Sequence, residues 1–217
     1  ADLSNEAFPY LACAELRLGQ IPARLFRISF SGELAYEIAV PAGYGGALAG
    51  RLADAGCEFG ATPYGTEALS VMRIEKGHVA GNELNGQTAA GDLGLGRMMS
   101  TKKDFVGRLM AARPALVDPQ RPSLVGLKPV QPGDRLRAGA HFMARGVSPA
   151  PETDQGYMTS TAFSPTLGHW IGLGLLARGA QRIGELVRAY DPVRSGDIEV
   201  EVVPAVFVDP EGVRVRA

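Results

Sequence analysis

The sequence predicts an α+β first part followed by a small all-β part, and three observations predict it. Helix periodicity with capping signals recurs between residues 45 and 112. That periodicity disappears from Leu124 onward. The remainder consists of short apolar runs cut by Gly and Pro, the pattern of a barrel or sandwich. The change of character falls at PALVDPQRP, residues 114–122, read as a linker between a first domain, 1–113, and a β domain, 123–217.

Residues 24–40 read as two extended segments around a break at Ser31-Gly32-Glu33. Leu34, Tyr36, Ile38 and Val40 recur with a period of two, which assigns them to the core. Glu37 then lies on the other face between Ala35 and Ala39, in a recess left by two small side chains. Gly45 to Gly56 predicts a helix, with Tyr44, Leu48 and Leu52 four apart. Thr62-Pro63 offers an N-cap and first-turn proline for a second helix, Tyr64 to Lys76. That helix carries Ala68, Leu69, Met72 and Glu75 and stops at Gly77.

Residues 81–97 are glycine-rich loop. Thr101 to Asp104 resembles a capping box, and Phe105 and Leu109 continue a helix to about Ala112. Five strand runs follow: LVGLKPV (124–130), GYMTSTAF (156–163), WIGLGLLA (170–177), GELVRAY (184–190) and IEVEVVPAVFV (198–208).

Composition narrows the function classes. Hydrophobic residues make up 46% and charged residues 21%, ordinary for a globular protein. A net charge of -1 provides no basic field for nucleic acid or anionic lipid. No apolar run approaches the ~18 residues of a membrane span. Two cysteines, Cys13 and Cys57, make neither a disulfide framework nor a zinc site, and they point to a reducing compartment, the cytoplasm. The chain opens ADLSNEAF, without Met or signal peptide, so processing or a longer parent chain is expected.

Several residues could carry chemistry. A carboxylate in a recess, Glu37, wants paired donors from a ligand; the alternative is a solvated or salt-bridged strand residue. Glu33, at the turn, reads as structural. In RIEKG, Arg73 and Lys76 could reach an anion, or Arg73 could be paired internally while Lys76-Gly77 ends the helix. Tyr64, at the start of that helix, completes the candidate contacts. His78, His141 and His169 share no ligand spacing, so no metal is expected. GDLGLG (91–96) lacks the GxGxxG order and follows no clear strand. Ser164-Pro165 is first a turn signal. Trp170 could be core or a ligand wall.

Four ordered blocks resemble the folate-binding aminomethyltransferase family, the T-protein of glycine cleavage and its relatives. FSGELAYEI (30–38) is similar to that family's Y-T-G-E-x-G-[FY]-E-I. GTEALSVMRIEKGHVAGNEL (65–84) is similar to its L-R-x-E-x-G helix end with a downstream G-x-E/D. TAAGDLGLGRMMSTKKDFVG (88–107) and GYMTSTAFSPTLGHWIGLGLL (156–176) resemble two further blocks. Among family members, IPARLFRISFSGELAYEI and GTEAL…MRIEKG look most like the C-terminal region of alpha subunits of heterotetrameric sarcosine oxidases. Dimethylglycine and sarcosine dehydrogenases are next.

The resemblance implies a partial T-protein-like α/β folate module followed by a β-barrel. It implies that Glu37 grips the pterin of tetrahydrofolate, whose 2-amino-4-oxo edge offers a carboxylate paired N–H donors, and that Phe30 packs near the pterin. It implies an enzyme taking the one-carbon unit of oxidised sarcosine to 5,10-methylenetetrahydrofolate, with FAD or FMN and NAD on other parts of the complex. The expected partners are other sarcosine oxidase subunits and an N-terminal remainder. That remainder would hold the catalytic aspartate, leaving no catalytic residue here. An aminomethyltransferase, a dimethylglycine dehydrogenase-like enzyme and a non-catalytic scaffold are the alternatives. Two departures count against a plain glycine-cleavage enzyme. Ala68-Leu69-Ser70 replaces the family's A-R-D, and Arg97 replaces its aromatic after G-L-G.

Overall fold

The computed structural model describes residues 2–217. Packing divides the chain into two compact units. One runs to Met72 and includes Asp209–Ala217; the other is Arg73–Val208. The first unit is built on an antiparallel meander, β1 (Cys13–Leu18), β2 (Ile21–Phe26) and β3 (Glu37–Ala39). The β1–β2 turn is two residues long, with Gly19 at φ 66°. A left-handed glycine suits so tight a connection. β2 alternates strictly: Ile21, Ala23 and Leu25 are buried, while Pro22 and Arg24 face solvent. Its buried face, with Phe8 and Leu48, forms this unit's core.

Helix α1 (Gly45–Gly56) follows as expected, but it buries Leu48 alone; Tyr44 and Leu52 are exposed. The helix passes Gly56 through a 3₁₀ turn, Cys57–Phe59, and stops at Gly60, φ 67°. Ala61 N–H donates back to the Gly56 carbonyl, so a left-handed glycine ends the helix one turn late. Helix α2 (Thr66–Glu75) starts after Tyr64, not at it, because Gly65 supplies the first helical carbonyl, to Leu69 N–H.

The extended segment expected after the break at Ser31-Gly32-Glu33 is shorter: only Glu37–Ala39 pairs, with Arg24–Phe26 of β2. Ser29 Oγ accepts from Gly32 N–H at 2.9 Å, and Gly32 sits at φ 87°. The segment turns here instead of joining the ladder. Leu34, expected in the core, is exposed. The helix expected over 105–112 is a single turn, α3 (Arg108–Ala111), because Gly107 stands at φ 94° at its start. A second short turn, α4 (Pro114–Val117), occupies the expected linker.

The second unit holds a closed six-stranded antiparallel barrel in the order β4-β7-β6-β5-β8-β9. Its strands are β4 (Pro122–Pro129), β5 (His141–Met143), β6 (Gly156–Ser164), β7 (His169–Ala177), β8 (Leu186–Asp191) and β9 (Gly196–Val203). Pairing of β4 with β9 closes it and removes both sheet edges. Val125, Leu127, Phe142, Met158, Val187 and Val200 are among its fully enclosed core residues. Residues 73–113 group with the barrel in the second compact unit, which begins inside α2. Hydrogen bonds from Asn82 Nδ2 to the Thr159 carbonyl and from Asn85 Nδ2 to Tyr157 Oη fasten this loop segment to β6.

Asp92, in GDLGLG, ties the same segment to the start of β4. Its carboxylate takes three hydrogen bonds from Arg121, the shortest 2.6 Å, and one from Ala89 N–H at 2.8 Å. Burial pushes the Asp92 carboxyl up, but the Arg121 guanidinium and the Ala89 N–H outweigh it, holding the group below its usual value of 3.8. A carboxyl depressed on folding stabilises above its unfolded value, and the contribution is lost as pH falls through the folded one. Urea midpoints between pH 6 and pH 2 are therefore expected to fall less steeply for Asp92→Asn than for the parent. Parallel profiles would contradict the pairing.

Candidate functional site

Glu37 opens β3, opposite Phe26 of β2, and is exposed. Among the described residues no hydrogen bond or ion pair reaches its carboxylate. Neighbouring Glu33 differs: Arg214 Nη1 binds its Oε1 at 2.9 Å, which makes it the structural carboxylate of the pair. Tyr36, between them, is a packing residue. Its ring stacks on Phe8 with centroids 6.5 Å apart and lies 6.0 Å from the Arg27 guanidinium carbon. Arg27 itself is buried and donates to the Phe8 and Ala217 carbonyls at 2.8 and 3.1 Å. This base fixes the chain entering β3 and so fixes where Glu37 stands.

Glu37 and Ala39 share one face of β3, and that face is open to solvent. A shallow cavity of about 550 Å³ lies at its Ala39 end, lined by Glu15, Arg17, Arg24, Ala39 and Pro41 among others and not by Glu37. Arg24 is held by Glu15 at 2.8 Å. Phe30 is exposed in the β2–β3 connection, seven residues before Glu37. The first unit thus presents a free carboxylate and an aromatic ring on one short stretch of chain. Tyr64 is also exposed, in the loop preceding α2.

Arg73 is not available to a ligand, which corrects its candidacy as an anion contact. It is 6% exposed and lies in the second unit. Its Nη1 donates to Glu83 Oε2 and the His78 carbonyl, both at 3.2 Å, and its Nη2 to Ser160 Oγ at 2.7 Å. Glu83 is 0% exposed and fully satisfied. Thr159 and Ser160 hydroxyls reach its Oε1 at 2.5 and 2.6 Å, and Ala80 N–H reaches Oε2 at 2.8 Å. A register shift in β6 between Met158 and Ser160 places Thr159 and Ser160 together on this one carboxylate. Nearby, Ser164 donates to Glu75 Oε1 at 2.5 Å and caps the turn through Leu167 N–H. The motifs RIE, GNEL and TST…SPT therefore serve the packing of residues 73–84 against β6. Glu83 is the acidic residue of the downstream G-x-E/D, Gly81-Asn82-Glu83, but nothing in the sequence marks it as the buried partner of Arg73.

The three histidines stay apart in role. His141 pairs with Asp154, and His169 Nδ1 contacts the Trp170 carbonyl. Among the described residues no cluster of His, Cys, Asp or Glu suits a metal ion, and no helix is long and apolar enough to cross a membrane. Trp170 is half-buried beside the barrel core, with Arg135 5.0 Å from its ring.

Two family descriptions match in chain order: the GCVT N-terminal domain over residues 1–103 and the glycine cleavage T-protein C-terminal barrel domain over residues 123–209. The chain is also similar to the glycine cleavage system aminomethyltransferase T from Bartonella henselae. The TM-score is 0.74 at 25% identity, over 93% of this chain and 53% of that one. The chain belongs to the glycine cleavage T-protein family. Within that family it is 48% identical to sarcosine oxidase subunit alpha of Rhizobium meliloti (strain 1021), over 99% of its own length. It is 40% identical to the subunit of that name from Corynebacterium sp. (strain P-1), and 33% identical over 84% of its length to an aminomethyltransferase of Saccharopolyspora erythraea. The chain spans 22% of the length of the two sarcosine oxidase subunits and 48% of the aminomethyltransferase.

Proposed function

We propose that this chain is the folate-binding part of a sarcosine oxidase-type alpha subunit, and that Glu37 and Phe30 hold the pterin of tetrahydrofolate. The observation that carries the reading is the free Glu37 carboxylate, exposed on a fixed strand while nearby Glu33 is paired. A planar pair of N–H donors can bind such a carboxylate bidentately. Phe30 offers an apolar ring to the pterin face.

Tetrahydrofolate supplies the nitrogen that takes the one-carbon unit released from oxidised sarcosine. Glu37 fixes the plane and rotation of the bound pterin, so that attack proceeds from a set geometry. Phe30 limits water beside it, which matters because the oxidised amine otherwise hydrolyses to formaldehyde. Proton transfer, flavin and NAD belong to the rest of the complex: the N-terminal remainder of the subunit and its partner subunits. The cytoplasm is the proposed compartment.

Titration calorimetry of the whole subunit with tetrahydrofolate tests the reading. Glu37→Gln removes one charge-assisted pair, about 1.5–3 kcal/mol. A roughly ten- to hundredfold weaker Kd is expected. Unchanged affinity removes Glu37 from the site. Methylenetetrahydrofolate formation from sarcosine, but not from dimethylglycine or an aminomethyl-lipoyl protein, separates this reading from the dehydrogenase and aminomethyltransferase alternatives. Folate binding without turnover of any of the three would favour a scaffold.

A further inference from the structure

We propose that the barrel unit carries a second ligand site, independent of the folate reading, at the cavity beside His141. Its ligand is a small, mainly apolar molecule bearing an amide or lactam. The cavity measures about 340 Å³, within the range of small-molecule sites. Met143 and three prolines, Pro149, Pro151 and Pro192, supply most of an apolar lining; His141, Asp154 and Tyr190 supply the polar groups.

Two of the polar groups orient each other, with a backbone N–H from outside the cavity. Gly156 N–H donates to Asp154 Oδ1 at 3.0 Å, and Asp154 Oδ2 lies 2.8 Å from His141 Nδ1. In the neutral form of the ring this contact places the proton on Nδ1 and leaves Nε2 a lone pair. His141 and Tyr190 are direct partners in the β5–β8 ladder, so their side chains stand side by side on one face. Among the described residues neither His141 Nε2 nor the Tyr190 hydroxyl has a hydrogen-bond partner.

One open acceptor beside one open donor is the complement of an amide edge, which offers an N–H and a C=O together. A carboxylate suits the site less well. It would bring a second negative charge to the edge that already holds Asp154. The wall opposite is preformed. Thr153 Oγ1 accepts from Ala150 N–H at 3.0 Å and lies within bonding distance of the Ala150 and Ser148 carbonyls at 2.9 and 3.0 Å. With two fixed prolines in this turn, little order has to be gained on binding.

Benzamide, benzoate and toluene serve as probes, titrated into the full chain while the His141 ring and Met143 methyl NMR signals are followed. Benzamide is expected to give saturable shifts at both. Tyr190→Phe and His141→Phe are each expected to weaken it about three- to tenfold, the value of one hydrogen bond. Their thermal midpoints are measured alongside, and Tyr190→Phe decides alone if His141→Phe does not fold. Benzoate or toluene binding as tightly as benzamide overturns the proposal. So does unchanged affinity in Tyr190→Phe, or the lack of any saturable benzamide shift.

Discussion

Arg73→Met is expected to lower the unfolding free energy of the barrel unit by about 3–5 kcal/mol, the usual cost of stranding one member of a buried ion pair. The removed guanidinium contacts Glu83, Ser160 and the His78 carbonyl. Glu83, 0% exposed, would be left with only Thr159, Ser160 and Ala80 N–H to satisfy it. Urea unfolding followed through Trp170, the lone tryptophan, measures the loss. The double variant Arg73→Met/Glu83→Leu removes both charges, and its loss is expected to fall well short of the sum of the two single losses. Additive losses would show that the two side chains do not act as a pair. An unfolding free energy for Arg73→Met within about 0.5 kcal/mol of the parent would show that water reaches the site.

That pair also marks a limit of what the sequence discloses. Strands β4, β6, β7, β8 and β9 are legible because each is an apolar run between Gly or Pro residues. β5 is not, since three residues, His141–Met143, are too few to set a period. The alternation of ISFSGELAYEI suggests extended chain on both sides of its break, yet a hydroxyl and a glycine, Ser29 and Gly32, turn the segment so that only Glu37 and Ile38 of it join the ladder. Internal pairing of Arg73 is one of its two readings, but the sequence names no partner for it. The hydroxyls that complete the site, Thr159 and Ser160, come together through a register shift in β6 that no local pattern encodes. Periodicity sets Glu37 between two alanines, but only its block FSGELAYEI points to a ligand contact, because an exposed carboxylate on a short strand looks like any solvated residue. What distinguishes it is that Glu33, four positions earlier, has an arginine and it has none.

Gly156→Ala is expected to be the most damaging single methyl addition in the barrel. Gly156 opens β6 opposite Leu176, with φ 132°, a region that side chains rarely adopt. An added Cβ would stand 1.9 Å from the Leu175 carbonyl oxygen and 3.0 Å from its carbon. Neither atom can swing away, because both belong to the backbone of β7, the strand paired to both β6 and β4. The backbone conformation alone costs about 1–3 kcal/mol for a non-glycine residue, and the overlap adds to it. A drop of more than about 10 °C in Tm is expected for a unit of this size, or failure to fold. Gly168→Ala is the control. It too has a positive φ, 74°, but its Cβ would meet nothing within 4 Å. It should lose only the conformational part, about 1–2 kcal/mol. The same displacement would move Gly156 N–H off Asp154, so the His141 ring signal should shift even in whatever fraction of Gly156→Ala folds. Equal melting of the two variants would mean that β6 does not enter the barrel in the register described.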